Sequence, residues 1–79
     1  MTKKEVKMLT VGSVIYHEEG DKAVITAIDE FSDKYVVDEY DEVYDENDEF
    51  IGFSEKRTGI SCLTEYDLIH HYYVNIKWW

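Results

Sequence analysis

Ser13-Val14-Ile15-Tyr16-His17-Glu18-Glu19-Gly20-Asp21-Lys22-Ala23-Val24-Ile25-Thr26-Ala27-Ile28 is the stretch on which the fold turns. Its two halves, 13–17 and 23–28, are rich in β-branched and aromatic residues. Such side chains lose less freedom on a pleated surface than in a helix, so both halves read as strands. Between them Glu18-Glu19-Gly20-Asp21 is a polar turn with a glycine. Two strands so joined predict an antiparallel hairpin.

Working outward, Lys34-Tyr35-Val36-Val37 begins a third strand that continues, more acidic, towards Val43-Tyr44. Glu46-Asn47-Asp48-Glu49 is a turn signal, and Phe50-Ile51-Gly52-Phe53 returns as a fourth strand. Glu55-Lys56-Arg57-Thr58-Gly59 reads as a basic-leaning loop. In Leu63-Thr64-Glu65-Tyr66-Asp67-Leu68-Ile69 the strand rhythm stops. Thr64 suits an N-cap with Asp67 completing a capping box, and Leu63 with Leu68 suits a hydrophobic staple, which predicts a helix of one or two turns. From Tyr72 to Trp79 the alternation of Tyr72, Val74, Ile76 and Trp78 with Tyr73, Asn75, Lys77 and Trp79 predicts a closing strand. Residues 1–10 are expected as a loose segment.

The expected fold class is therefore mainly β, in a single domain over residues 1–79. By element order alone, residues 11–79 resemble a small five-stranded antiparallel SH3-like barrel. The alternative is a curled sheet with one short helix before the last strand. In either case residues 38–49 form a projecting acidic hairpin.

The chain has 79 residues, of which 44% are hydrophobic and 15% aromatic, enough for a folded core. Cys62 is the only cysteine, so no intramolecular disulfide forms; a buried thiol and a cytoplasmic, reducing setting are expected. Met1 to Leu9 has basic residues with no apolar run behind them, unlike a signal peptide. No apolar run approaches the roughly 20 residues of a membrane helix.

The charge is more informative. Eighteen acids against eight bases give a net charge of −10. Residues 29–49 hold eleven of the acids and one base, Lys34, so this stretch carries the whole net charge and the rest of the chain balances. Direct nucleic-acid binding is not expected, because that affinity comes from Lys and Arg on the phosphate backbone. In a strand alternate side chains share a face at ~3.3 Å per residue. Asp38, Tyr40, Glu42 and Tyr44 are expected on one face; Glu39, Asp41, Val43 and Asp45 on the other. Carboxylates recurring about every 7 Å on each face, on both strands of a hairpin, approach the charge spacing of a nucleic-acid backbone, ~3.4 Å per strand.

No catalytic or metal motif accompanies this charge, and no cofactor is expected. Asp45-x-Asn47-x-Glu49 imitates the start of a calcium loop, but Phe50 stands where that loop needs Gly and Lys56 where it needs Glu. His70-His71 lacks ligand spacing. The expected site is a surface for a partner: Asp38, Glu39, Tyr40, Asp41, Glu42, Tyr44, Asp45, Glu46, Asp48 and Glu49, with Phe50 and Phe53 as further apolar anchors. In size and charge the chain resembles the small acidic inhibitors and DNA mimics that bacteriophages direct against host nucleases, CRISPR effectors, restriction enzymes and polymerases. That resemblance implies a non-enzymatic anti-defence protein and a basic, nucleic-acid-binding host protein as its partner. An assembly module that dimerises or docks through Tyr72, Tyr73, Trp78 and Trp79 is the alternative, since Tyr and Trp dominate interface hot spots.

Overall fold

The first hairpin forms as the sequence predicts, around a residue that only glycine suits. In the structure, a computed structural model that describes residues 1–75, β1 (Val14–His17) and β2 (Lys22–Asp29) pair antiparallel with Ile15 opposite Ala23. Gly20 in their turn has φ +117, a backbone that L side chains rarely adopt, and a Cβ there would collide with the Glu42 carboxylate. The next turn is built by an acid: Asp29 accepts from the Phe31 and Ser32 amides at 3.1 and 3.4 Å and from the Ser32 hydroxyl at 2.7 Å. These bonds hold the Asp29 carboxyl below its usual range.

β3 (Lys34–Tyr40) follows and pairs along β2, with an irregularity between Ile25 and Ala27. β4 (Glu42–Tyr44) continues from it after Asp41, and β5 (Phe50–Phe53) pairs with β4 in a separate two-stranded ribbon. β6 (Gly59–Leu63) returns to pair with β3, opposite Tyr35 to Glu39. The expected loop holds from Glu55 to Thr58, and β6, starting at Gly59, supplies a fifth strand that the sequence reading did not contain. The helix α2 (Glu65–His71) has the expected reciprocal cap between Thr64 and Asp67. β7 (Tyr72–Tyr73) then pairs with β1 on the far edge.

Residues 1–10 are not loose. Thr2 and Glu5 form a full capping box that starts α1 (Lys3–Lys7). The Met1 ammonium donates to the carbonyls of Leu68, Ile69 and Tyr72 at 3.2, 3.0 and 2.7 Å, tying the chain start to the end of α2.

The sheet order is β6-β3-β2-β1-β7, all antiparallel. It is an open, curled sheet and not a closed barrel: β6 and β7 lie at opposite edges with three strands between them. β7 spans only two residues before a bend at Val74 and Asn75, too short to reach round to β6. Of the expected strand from Tyr72 to Trp79, Tyr72 and Tyr73 pair as β7 and Val74 and Asn75 bend, while residues 76–79 lie outside the described part.

One face of the sheet carries the core. Ile15, Ala23, Ile25, Tyr35, Val37, Leu63 and Tyr72 meet Val6 of α1 and Leu68 of α2 there. Leu63 and Leu68 belong to this cluster, as a staple requires. Among the described residues the opposite face has no helix on it, and Val14 and Ile60 are exposed there. Cys62 belongs to that second face and is exposed, because period-two alternation along β6 gives the core to its neighbour Leu63. No helix among the described residues is long and apolar enough to cross a membrane.

Candidate functional site: the acidic ribbon and its aromatic seam

The acidic stretch runs through two structural settings. Asp38, Glu39 and Tyr40 are the end of β3 and belong to the main sheet, while Glu42 to Glu49 form the first strand and turn of the ribbon. Asp41 joins the two, its carbonyl accepting from the Ser54 amide at 2.9 Å. The expected ladder of one continuous strand is therefore broken at Asp41.

The carboxylates then divide by what they touch. Asp38 pairs with Arg57 at 3.5 Å. Glu39 accepts a hydrogen bond from the Ser61 hydroxyl on the core side of the sheet. Glu42 lies against Gly20 and accepts from the Tyr44 hydroxyl at 2.6 Å, which pushes the Tyr44 phenol above its usual value. Asp45 makes the ribbon turn, accepting from the Asn47 and Glu49 amides at 2.8 and 3.0 Å, while Asp48 takes the left-handed backbone at φ +61. Asp and Asn tolerate that conformation better than other side chains, which accounts for Asp48. One Asp45 carboxylate oxygen thus accepts from two backbone amides. Among the described residues, no group of three or more His, Cys, Asp or Glu side chains is placed to hold a metal ion.

Asp41, Glu46, Asp48 and Glu49 remain. All four are exposed, and among the described residues none of their carboxylates has a hydrogen bond or an ion pair. They stand at the base and the tip of the ribbon. A shallow cavity of about 230 Å³, lined by Glu18, Glu19, Gly20, Glu42 and Tyr44, adds further acids beside the base.

An aromatic seam runs up the same ribbon. Tyr44 and Phe50 meet at 5.9 Å, Phe50 and Phe53 at 5.2 Å, and Phe53 and Tyr16 at 6.0 Å. At its base the Lys22 ammonium sits over both the Tyr40 and Phe53 rings, at 4.8 and 5.3 Å. Both distances fall within the ~6 Å over which a ring face attracts a cation. Tyr16 and Lys22 were not legible as part of the site. Alternation does place Tyr16 opposite Ile15, but only the register Tyr16–Lys22–Tyr40 across three strands brings them to the ribbon.

Charge also accumulates under the ribbon. Burial pushes the Asp21 carboxyl above its usual value, and the neighbouring Asp41, Glu39 and Glu42 charges push it further. Because the folded pKa exceeds the unfolded one, Asp21 favours folding while protonated and loses that contribution as pH rises through the raised value. Asp29 and Glu5, both held low, act in the opposite sense and only at lower pH. Asp21→Asn is therefore expected to raise the melting temperature at about pH 7, and to lose that advantage at about pH 4, the ordinary carboxylate value, where Asp21 is protonated more readily folded than unfolded. Parallel thermal melts of the two proteins at both pH values check this.

The alternative surface fares differently. Tyr72 is 5% exposed and belongs to the core, its phenol pushed up to about 12 chiefly by burial. It is unavailable to a partner because the edge-strand pairing turns it inward, under α2. Tyr73 is half-buried and stands opposite Tyr16 on β1. Trp78 and Trp79 lie outside the described residues. His71 pairs with Glu18 at 3.0 Å, joining the end of α2 to the first hairpin turn. No family model, curated protein or solved structure gives a significant match to the chain.

Proposed function

We propose that this chain is a non-enzymatic binding protein that occupies the nucleic-acid-binding surface of a basic partner through its acidic ribbon. The observation that carries the reading is the set of exposed carboxylates at Asp41, Glu46, Asp48 and Glu49, none of which is in an ion pair among the described residues. In a protein with eight bases, such a concentration of unneutralised charge is available to an external Lys or Arg cluster. A field of this kind steers fast encounter with a positive surface. The aromatic seam adds apolar anchorage, and Lys22 on Tyr40 and Phe53 exemplifies how its rings accept an ammonium. Partners of this chemistry include nucleases, CRISPR effectors, restriction enzymes and polymerases, met in the host cytoplasm by a phage anti-defence protein.

The test is capture from cell lysate on immobilised protein at low salt, with elution by a salt gradient and by added duplex DNA. A DNA-binding protein released both by moderate salt and by duplex supports the reading, because both agents compete for the same charges. Retention indifferent to salt and to DNA overturns it.

A further inference from the structure

We propose that β6 is a self-pairing edge, through which two copies of this chain join antiparallel into one continuous sheet. β6 has β3 on one side and no described strand on the other. Natural sheets guard such edges with charges, prolines or inward-pointing Lys. Gly59-Ile60-Ser61-Cys62-Leu63 carries none of these. Its two outward side chains, Ile60 and Cys62, are both exposed on the face without helices.

The flanks of the strand show what occupies the edge. Arg57 stands four residues before Ser61 and Glu65 four residues after it. A two-fold axis through Ser61 therefore brings Arg57 of each copy, in the loop before β6, to the end of the other copy's β6, where Glu65 opens α2. It also sets Ile60 opposite Cys62, an apolar pair made twice, and Thr58 opposite Thr64. Among the described residues of one chain these charges have only loose ion-pair partners, Arg57 with Asp38 at 3.5 Å and Glu65 with Lys3 at 3.9 Å, all at least partly exposed. Opposite charges brought together at the ends of two paired strands favour the pairing, and like charges oppose it. The strand is thus complementary to itself in one register.

The same axis deals with the repulsion between two chains of charge −10. β6 leaves the ribbon at Gly59 and runs towards α2 at Leu63. An antiparallel mate runs the other way, so the two acidic ribbons point to opposite ends of the joint sheet. Both stay open to a partner, and the pairing does not depend on the function proposed above.

Light scattering of the full chain over a concentration series reads the state directly. Twice the 9.4 kDa chain mass, reverting to one chain mass in Ile60→Lys with an unchanged circular dichroism spectrum, is the expected result. Arg57→Glu is expected to weaken the dimer about tenfold, and adding Glu65→Arg to restore it. Ile60→Cys sets a second thiol opposite Cys62 of the other copy, so mild oxidation gives a covalent dimer that Cys62→Ser abolishes. A monomer at every concentration overturns the proposal. So does a dimer that survives both Ile60→Lys and Arg57→Glu, which would put the contact elsewhere. Should Ile60→Lys fail to fold, the charge swap and its rescue decide the matter.

Discussion

Reversing Asp41, Glu46 and Glu49 to Lys in one chain is expected to weaken the partner complex by about a thousandfold, roughly 4 kcal/mol. These three are chosen because their carboxylates hold nothing in the fold. Each is exposed, and none has a hydrogen bond or ion pair among the described residues. Asp45 and Glu42 are unsuitable despite their position. Removing Asp45 deprives two turn amides of their acceptor, and removing Glu42 strips Tyr44 of its bond and Gly20 of its cover. A lost complex would then report a damaged ribbon. The control reverses Glu30 and Glu55, exposed acids outside the ribbon and the cavity beside it, and its loss is compared per charge reversed. Titration calorimetry with the captured partner separates the cases. A large loss in the ribbon variant alone supports recognition by the ribbon. Equal losses in both make the effect one of overall charge, and unchanged affinity removes the mechanism. Stability should hold or rise in the ribbon variant, since like charges at its base are relieved.

The parts of the fold that were legible are those fixed by neighbours in the chain. The first hairpin follows from β-branched runs about a glycine turn, and α2 follows from Thr64 and Asp67 at capping distance. α1 carries an equally local signal, Thr2-Lys3-Lys4-Glu5, yet its five residues offer a single buried side chain, Val6. So short a helix persists only by docking on α2, and docking is not written in the local sequence. The missed strand β6 has the same origin. Gly59-Ile60-Ser61 has little strand character of its own, and the β3 ladder makes it one.

The acidic site was legible as a concentration of charge and illegible in its division of labour. Composition cannot separate an acid that builds a turn from one that meets solvent. Asp29, Asp33 and Asp45 all spend their carboxylates on backbone amides, Asp33 on that of Glu65. Asp is the residue that does this well, because its short side chain reaches an amide two residues on. Part of the negative run is thus the cost of making two sharp turns. The functional reading rests on the remainder.

Leu68→Ala is expected to cost about 3 kcal/mol, a large share of the roughly 5–15 kcal/mol that keeps a domain folded. Leu68 is 0% exposed, and α2 buries no other side chain fully. Seven residues are too few for a helix to hold by backbone bonding alone, so the anchor sets whether α2 forms on the sheet. Its loss spreads along the chain. The Met1 ammonium is held by the carbonyls of Leu68, Ile69 and Tyr72, and α1 with its buried Val6 packs against α2. A cavity at Leu68 therefore loosens both helices and bares one face of the sheet. A melting temperature lowered by about 4–8 °C per kcal/mol is the expected reading for a domain of this size. Tyr66→Ala, two residues away on the exposed side of α2, supplies the comparison. It removes a larger side chain whose ring lies against His70 at 4.2 Å and His71 at 6.3 Å on the helix surface, and should change stability by no more than about 0.5 kcal/mol. Similar losses in the two variants would mean that helix propensity, and not the buried contact, holds α2 in place. A loss confined to Leu68→Ala, with the ribbon's partner affinity unchanged at a temperature where the variant is folded, would show that core and acidic surface act independently.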